Sequence, residues 1–209
     1  MPPLVVFDLD GTLVDSLDDL HASVNHALRV VGLPPRSREE IHGFVGEGVR
    51  LLLARAVAPH DHLVEPALAA WGPHYEAHCV DRTRPYPGVE ALLAGAGRAL
   101  AVNTNKPGAL ARRILAGLGL LPRFAAVVGG DEAPRKPDPT GLREIMARVG
   151  ATPDETVFVG DSRIDVAVAR AAGVPMIAVT WGYGSRAELA AAGATTFAES
   201  AADLARLVA

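Results

Sequence analysis

The chain has 209 residues, 49% of them hydrophobic and 21% charged, which is typical of a folded globular protein and excludes a disordered one. Its formal net charge of −4 gives no broad positive surface, so we expect neither a nucleic-acid partner nor attraction to an acidic membrane. Lys106 and Lys136 are the only lysines, so the search for an amine that binds an anionic substrate is short.

The first predicted element is a strand that leads directly into two carboxylates. Residues 4 to 7 are all apolar, as in a strand covered on both faces, and Gly11 then breaks the run. Asp8 and Asp10 are two positions apart, so their side chains point the same way at the carboxyl end of this strand. That end of a strand is where open α/β sheets bind ligands.

Two carboxylates this close repel each other unless they share a cation or one of them is protonated. With Mg²⁺ as the cation, Asp8 can stay anionic and act as a nucleophile, while Asp10 transfers a proton as general acid and base. The alternative is a turn in which Asp8 and Asp10 only cap backbone amides.

Residues 15–83 are predicted to be helical, with no strand among them. Apolar residues recur every three or four positions from Leu17 to Val31, and Ser37 with Glu40 forms a capping box that opens a second helix. A third helix follows Gly48, and a fourth covers about residues 63 to 79 with an interruption near Gly72-Pro73. The prediction is therefore a helical cap domain, 15–83, inserted after the first strand of a core domain, 1–14 and 84–209.

Strands and helices alternate in the rest of the chain. Strands are predicted at 99–104, 125–129, 156–161 and 176–180, and helices near 89–97, 108–118, 139–149 and 163–172. Such alternation builds a parallel sheet with right-handed crossovers. The fold class is thus α/β, a doubly wound parallel sheet, and we expect the cap to be a mobile cover over the strand ends that carry Asp8 and Asp10.

Polar residues follow each of the later strands on the same sheet edge. Thr104-Asn105-Lys106 follows the second strand, Lys136-Pro137 lies beyond the third, and Asp161-Ser162 with Asp165 follows the fourth. Each segment alone is more typical of a helix cap or a surface turn. Together with Asp8 and Asp10 they make four polar segments at four consecutive strand ends, which indicates one site.

These four segments resemble the motifs of the haloacid dehalogenase superfamily, specifically its phosphatases with a helical cap after the first motif, and the match spans the chain. Within that superfamily they are most similar to the phosphoglycolate phosphatases, as is the segment from Val179 to Gly184. The resemblance implies a Mg²⁺-dependent phosphomonoester hydrolase that works through an aspartyl-phosphate. The implied substrate is a small phosphorylated acid, 2-phosphoglycolate, which is hydrolysed to glycolate and phosphate.

The resemblance also implies roles for single residues. Asp8 attacks phosphorus, Asp10 protonates the leaving oxygen, and the metal is bound by Asp8, the main-chain carbonyl of Asp10 and Asp161. Lys136 neutralises the phosphoryl oxygens, with Lys106 as a rival for that contact.

Further residues are expected to hold the phosphoryl group or support the metal. Thr104, the amide of Asn105 and the turn at Gly11 contact the phosphoryl group, because Gly11 allows close approach of the backbone. Asp165 is expected to reach the water shell of the metal or to pair with Lys136.

Specificity is expected to come from the cap. Gly46 and Gly48 allow close backbone approach, and Arg50 offers a donor fork suited to a carboxylate. The alternative is that Arg50 is a solvated helix residue and the glycines merely form a turn.

Other reactions remain as alternatives. No lysine occurs in residues 15–83, so the Schiff-base chemistry of the superfamily's phosphonatase is excluded, and Asp10 disfavours a dehalogenase. A phosphatase of a sugar phosphate or of pyrophosphate, or a phosphosugar mutase, remains possible. So does a non-enzymatic module that accepts or senses phosphate.

The cellular setting is expected to be the cytoplasm. The single cysteine, Cys79, cannot form an internal disulfide, and no charged leader or long apolar segment marks the N-terminus. Whether the chain is a monomer or a homodimer is left open.

Overall fold

The computed structural model describes residues 3–209. By its internal contacts the chain divides into two compact units, which are described separately. The core unit comprises the residues up to Asp15 together with Pro85–Ala209, and the helical unit comprises Ser16–Arg84.

Eight strands are present in the described residues: β1 (Leu4–Phe7), β2 (Val14–Asp15), β3 (Arg84–Pro85), β4 (Ala99–Asn103), β5 (Ala126–Val128), β6 (Thr156–Gly160), β7 (Met176–Val179) and β8 (Phe197–Ala198). Six of them form one sheet in the order β5-β4-β1-β6-β7-β8, and every neighbouring pair is parallel. The α/β fold class with a parallel sheet is confirmed. The short strands β2 and β3 lie at the two points where the chain passes between the units.

Ten α-helices occur in the same residues: α1 (Leu17–Val30), α2 (Arg38–His42), α3 (Val49–Val57), α4 (Val64–His78), α5 (Val89–Ala94), α6 (Gly108–Gly117), α7 (Thr140–Val149), α8 (Arg163–Ala172), α9 (Arg186–Ala192) and α10 (Ala201–Val208). Short 3₁₀ turns lie at Asp61–Leu63, Leu121–Arg123 and Pro153–Glu155. No helix among residues 3–209 is both long enough and apolar enough to span a bilayer.

Strand β1 lies inside the sheet and is buried along its whole length. Its four residues are at most 1% exposed, because helices cover both faces of a parallel sheet. Phe7 is in register with Val102 of β4 and Val159 of β6. These three strands therefore end at nearly the same level, which brings the polar residues that follow them together.

The segment predicted to be helical, 15–83, differs from the prediction at two points. Asp15 lies in strand β2. Helix α4 runs without a break through Pro73, so the predicted interruption is wrong. Proline removes one hydrogen bond of a helix, but here the rings of the buried residues Trp71 and Tyr75 stack at a centroid distance of 4.6 Å across the same turn. Packing of this face outweighs the lost bond.

The two ends of the helical unit are joined by a buried carboxylate. Asp19 of α1 accepts hydrogen bonds from the backbone N–H groups of Arg82 and Thr83 and from the Thr83 hydroxyl, the last at 2.7 Å. Both Asp19 and Thr83 are at most 3% exposed.

The predicted capping box of Ser37 and Glu40 is present at the start of α2.

Candidate active site

The candidate site lies at the carboxyl edge of the six-stranded sheet and is built from four loops. Asp8 follows β1, Lys106 lies between β4 and α6, Lys136 lies between β5 and α7, and Asp161 follows β6. Both lysines of the chain are therefore in this one place, and each is at most 7% exposed. Two ammonium groups concentrated among carboxylates form a charged centre rather than a set of solvated turns.

Lys136 is the cation at the centre of this group. Its Nζ lies 2.7 Å from Oδ1 of Asp8 and 2.7 Å from Oδ1 of Asp165, and it stands 5.6 Å from the centroid of the Phe158 ring. Burial alone would lower the pKa of Lys136, but attraction to Asp165 and Asp8 outweighs it and raises the pKa. The lysine is thus permanently charged beside Asp8.

The loop that carries Lys136 is fixed by the side chain of Asn105. The backbone N–H of Lys136 donates to Oδ1 of Asn105 at 2.7 Å, and Nδ2 of Asn105 donates to the Lys136 carbonyl at 3.1 Å. The side-chain amide of Asn105 therefore positions Lys136, a contact that sequence reasoning missed. Contact of the backbone amide of Asn105 with a phosphoryl group stays a prediction.

Asp161 is held by partners from two other segments. Its Oδ1 accepts from the Thr12 hydroxyl and its Oδ2 from the backbone N–H of Tyr183, both at 2.8 Å. Thr12 is itself fixed, since its carbonyl accepts from Nε1 of Trp181 at 3.1 Å. Sequence reasoning did not assign Thr12, although it lies in the same turn as Gly11 and a hydroxyl four residues after Asp8 was a visible signal.

Asp165 serves both the start of a helix and Lys136. Its Oδ2 accepts from the backbone N–H of Ser162 at 2.9 Å and from the Ser162 hydroxyl at 2.6 Å, as the capping box of α8. Its Oδ1 accepts from Nζ of Lys136. The predicted pairing of Asp165 with Lys136 is present in the structure, and its contact with the water shell of a metal stays a prediction.

Asp10 and Lys106 form a second ion pair beside the first. Nζ of Lys106 lies 2.9 Å from Oδ1 of Asp10, and the Asp10 side chain is 14% exposed. The backbone N–H of Lys106 donates to Oγ1 of Thr104 at 3.2 Å, so Thr104 also shapes this loop. Each of the two predicted catalytic carboxylates is thus paired with a different lysine: Asp10 with Lys106, and Asp8 with Lys136.

The acidic groups carry more charge than the lysines neutralise. Asp8, Asp10, Asp161 and Asp165 face Lys106 and Lys136, which leaves two negative charges unbalanced if every group is ionised. Burial, opposed by Lys136, raises the pKa of Asp8 to about 7. Burial together with Asp165 and Asp8 raises the pKa of Asp161 to about 8. Such shifts indicate carboxylates arranged for a positive ligand.

The donor atoms fit a hard divalent cation. Asp8, Asp161 and Asp165 each have a carboxylate oxygen within 4.8 Å of the others. Within residues 3–209, this is the group of Asp, Glu, His or Cys side chains that is compact enough to hold a metal ion. An all-oxygen carboxylate set favours Mg²⁺ or Ca²⁺ over softer metals. Two positive charges would also balance the site.

Gly11 is required by the packing of the acidic centre. Its φ is +85°, and a Cβ built there would lie 2.2 Å from Oδ2 of Asp161. A Cβ at Gly182 would likewise lie 2.6 Å from Cγ of Asp161. The backbone therefore encloses the Asp161 carboxylate so closely that side chains are excluded.

Gly11→Ala is expected to destabilise the protein and displace Asp161. The control is Gly173→Ala in the same unit, where φ is +73° and nothing lies within 4 Å of the added Cβ. Both changes carry the cost of a left-handed backbone, about 1–2 kcal/mol, but only Gly11→Ala adds the collision with a carboxylate. Denaturant unfolding of both variants measures the difference; equal losses would mean that the Asp161 contact is unimportant.

The predicted specificity residues lie in the helical unit. Arg50, in the first turn of α3, pairs with Oε1 of Glu65 at 2.5 Å, and the two side chains are 59% and 67% exposed. Gly46 and Gly48 have φ values of +118° and +93°, which only glycine adopts easily. Contact of these three residues with a substrate stays a prediction.

Comparison with known proteins points to one family. The family model for haloacid dehalogenase-like hydrolases matches residues 5–179. The phosphoglycolate phosphatase of Cereibacter sphaeroides is 46% identical over 190 residues, which cover 87% of this chain and 86% of that protein. The phosphoglycolate phosphatase of Rhodospirillum rubrum is 42% identical, with 98% and 90% covered.

Solved structures share the fold over the full length. The crystal structure of a predicted phosphoglycolate phosphatase from Haemophilus somnus is 31% identical with a TM-score of 0.92, and covers 99% of this chain and 98% of its own. A predicted phosphatase from Clostridium acetobutylicum is 28% identical with a TM-score of 0.88, at 98% and 97% coverage.

Proposed function

The chain belongs to the haloacid dehalogenase-like hydrolase family, and from this premise we propose that it is a Mg²⁺-dependent phosphatase that hydrolyses 2-phosphoglycolate through an aspartyl-phosphate on Asp8. The phosphatase class is supported by relatives of that name that match most of the chain at more than 40% identity. The nucleophile and the metal are supported by the chemistry of the site, and the substrate is supported by the names of the relatives.

The observation that carries the proposal is the position of Lys136 between Asp8 and Asp165. A carboxylate is already ionised at neutral pH in water, but burial works against the charge of Asp8. The ammonium 2.7 Å away favours the anion, and it also attracts the phosphoryl oxygens that a nucleophile must approach. Lys136 thereby reduces the repulsion between the Asp8 carboxylate and the anionic phosphate that it attacks.

The proposed reaction has two steps. In the first, an Asp8 oxygen bonds to phosphorus, the bond from phosphorus to the ester oxygen breaks, and Asp10 gives its proton to the departing alcohol. In the second, a water gives a proton to Asp10 while its oxygen bonds to phosphorus. The acyl phosphate bond then breaks, which releases inorganic phosphate and restores the Asp8 carboxylate.

Asp8, the main-chain carbonyl of Asp10 and Asp161 are the proposed ligands of the metal, and Asp165 supports Lys136. When bound, Mg²⁺ supplies charge that stabilises the transferring phosphoryl group. The hydroxyl of Thr104, the backbone amide of Asn105 and the amides of the Gly11 turn are the proposed contacts to the other phosphoryl oxygens. The Thr12 hydroxyl holds Asp161 in place by donating a hydrogen bond to its carboxylate.

The proposed substrate, a small phosphorylated acid, follows from the names of the relatives. Arg50, with Gly46 and Gly48, remains the sequence-based proposal for recognition of the acid group. In the structure the Arg50 guanidinium is paired with Glu65, an exposed ion pair of the kind that contributes little to stability and can be exchanged for another carboxylate.

The test is the release of inorganic phosphate from a panel that includes 2-phosphoglycolate, a sugar phosphate, pyrophosphate and 4-nitrophenyl phosphate, with Mg²⁺ and with a chelator. We expect Mg²⁺-dependent turnover and the highest kcat/KM on 2-phosphoglycolate. Comparable rates on the sugar phosphate would remove the substrate assignment but not the phosphatase. Conversion of the sugar phosphate to an isomer without phosphate release would indicate a mutase, and no turnover of any member would exclude the hydrolase.

A further inference from the structure

Lys106 is a buried cation that the proposed two-step reaction does not use. Its ammonium lies 2.9 Å from the Asp10 carboxylate, and the residue is 7% exposed. Lys136, by contrast, faces Asp8 and Asp165. The two lysines therefore serve different ends of the reaction: Lys136 lies where the nucleophile acts, and Lys106 lies where the leaving group is protonated.

The backbone holds Lys106 in a fixed place. Its N–H donates to Oγ1 of Thr104 at 3.2 Å, and its carbonyl accepts from the N–H of Gly130 at 3.0 Å. A Cβ at Gly129 would lie 2.9 Å from the Lys106 carbonyl oxygen, so the two loops are packed closely. Together with the burial of the residue and the bond to Asp10, this fixed backbone pre-positions the ammonium, which reduces the entropy lost when it binds a ligand.

The position of Asp10 fixes where the leaving group must be. To protonate the ester oxygen of the substrate, the Asp10 carboxyl must come within hydrogen-bond distance of it, roughly 3 Å. In 2-phosphoglycolate a single methylene separates this ester oxygen from the carboxylate. When 2-phosphoglycolate contacts Asp10 in this way, its carboxylate is within reach of the ammonium that is bonded to Asp10.

We propose that Lys106 recognises the carboxylate of the substrate and so makes the enzyme selective for phosphate esters with an acid group next to the ester carbon. The inference rests on the proposed phosphatase function, and it assigns recognition of the acid group to Lys106 of the core unit in place of Arg50 of the helical unit. A lysine ammonium has three N–H donors and can bond to more than one acceptor, and the Asp10 carboxylate is one of its acceptors here. In a site with little solvent, attraction between Lys106 and a carboxylate is much stronger than it is in water.

The test compares two esters that differ only in the acid group, 2-phosphoglycolate and ethyl phosphate. Replacement of Lys106 by Met removes the charge and keeps the length of the side chain. We expect kcat/KM for 2-phosphoglycolate to fall about 10- to 100-fold more than kcat/KM for ethyl phosphate, as is typical for loss of one hydrogen bond to a charged group. Most of this difference should appear in KM.

Two further variants separate recognition from positioning. Lys106→Gln keeps an N–H donor for Asp10 but not the charge, so it should lose the preference as Lys106→Met does, even if the Met variant fails to fold. Lys106→Arg keeps the charge and should retain part of the preference. Arg148→Met removes an exposed cation of α7 and should leave both substrates unaffected.

The inference and the proposed function fail in different ways. Equal losses on both esters in the Lys106 variants would show that Lys106 only positions Asp10, and would overturn the inference alone. The inference would also be overturned if the preference for 2-phosphoglycolate over ethyl phosphate disappears in Arg50→Met but survives in both Lys106→Met and Lys106→Gln. A wild-type protein that hydrolyses both esters equally well would overturn the inference together with the proposed substrate.

Discussion

Asp8→Asn is expected to abolish turnover while the protein stays folded. The amide has the shape of the carboxylate but not its charge, so it cannot attack phosphorus, and loss of a nucleophile lowers kcat by roughly 10⁴-fold or more. The measurement is steady-state phosphate release at saturating substrate with Mg²⁺. Asp154→Asn, an exposed change in the 3₁₀ turn before β6, is the matched control and should keep full activity.

The same variant makes a prediction about stability. Burial raises the pKa of Asp8 to about 7, so this group stabilises the fold at acid pH, and that contribution is lost as the pH rises through 7. A neutral Asn has no such titration. Without metal at pH 8, Asp8→Asn should therefore melt no lower than the wild type. A clearly lower melting temperature would mean that the ionised Asp8 stabilises the fold and that burial does not raise its pKa.

Lys136→Met is expected to cost both activity and stability. The change leaves Asp8 and Asp165 buried without their shared cation, and removal of one partner of a buried ion pair typically costs about 3–5 kcal/mol. Loss of a cation aimed at the phosphoryl oxygens should lower kcat by about 10³-fold. Arg148→Met, which breaks only the exposed pair with Glu144, should change stability by less than about 1 kcal/mol.

The cost of Lys136→Met should depend on pH. Attraction to Asp165 and Asp8 raises the pKa of Lys136 despite its burial, so the lysine stabilises the fold throughout the neutral range. In the variant, Asp8 must take up a proton to remain buried, and it does so more easily at pH 5 than at pH 8. Urea unfolding without metal should show a larger loss at pH 8. A loss that does not change with pH would indicate a packing effect instead.

The sheet could be predicted because parallel strands buried on both faces leave clear apolar runs. Leu4–Phe7 and Thr156–Gly160 are of this kind, and each is followed at once by acidic residues. The strand order β5-β4-β1-β6-β7 was not predicted, because the connection from β5 to β6 passes over β4 and β1 and local patterns do not determine such a placement. Strand β8 was missed because two residues are too few for a pattern. Helices α9 and α10 were missed although Ser185 with Glu188 and Ser200 with Asp203 mark their starts.

The site could be predicted as a set of residues, but its pairing could not. A sequence shows that Lys106 and Lys136 are the only lysines, but not that one faces Asp10 and the other Asp8. The contact of the Asn105 side chain with the Lys136 backbone spans two loops, and the contact of Thr12 with Asp161 joins residues 149 positions apart. Such contacts depend on tertiary packing, which cannot be predicted from local sequence patterns.

The most direct test of the account is to trap the intermediate. Enzyme with Mg²⁺ is mixed with ³²P-labelled 2-phosphoglycolate and quenched in acid within milliseconds, and the labelled peptide is identified by mass spectrometry. We predict one phosphoryl group on Asp8, removable by hydroxylamine as an acyl phosphate is, and none on the Asp8→Asn variant. Release of labelled phosphate with no labelled protein at any time, or label on a residue other than Asp8, would contradict the account.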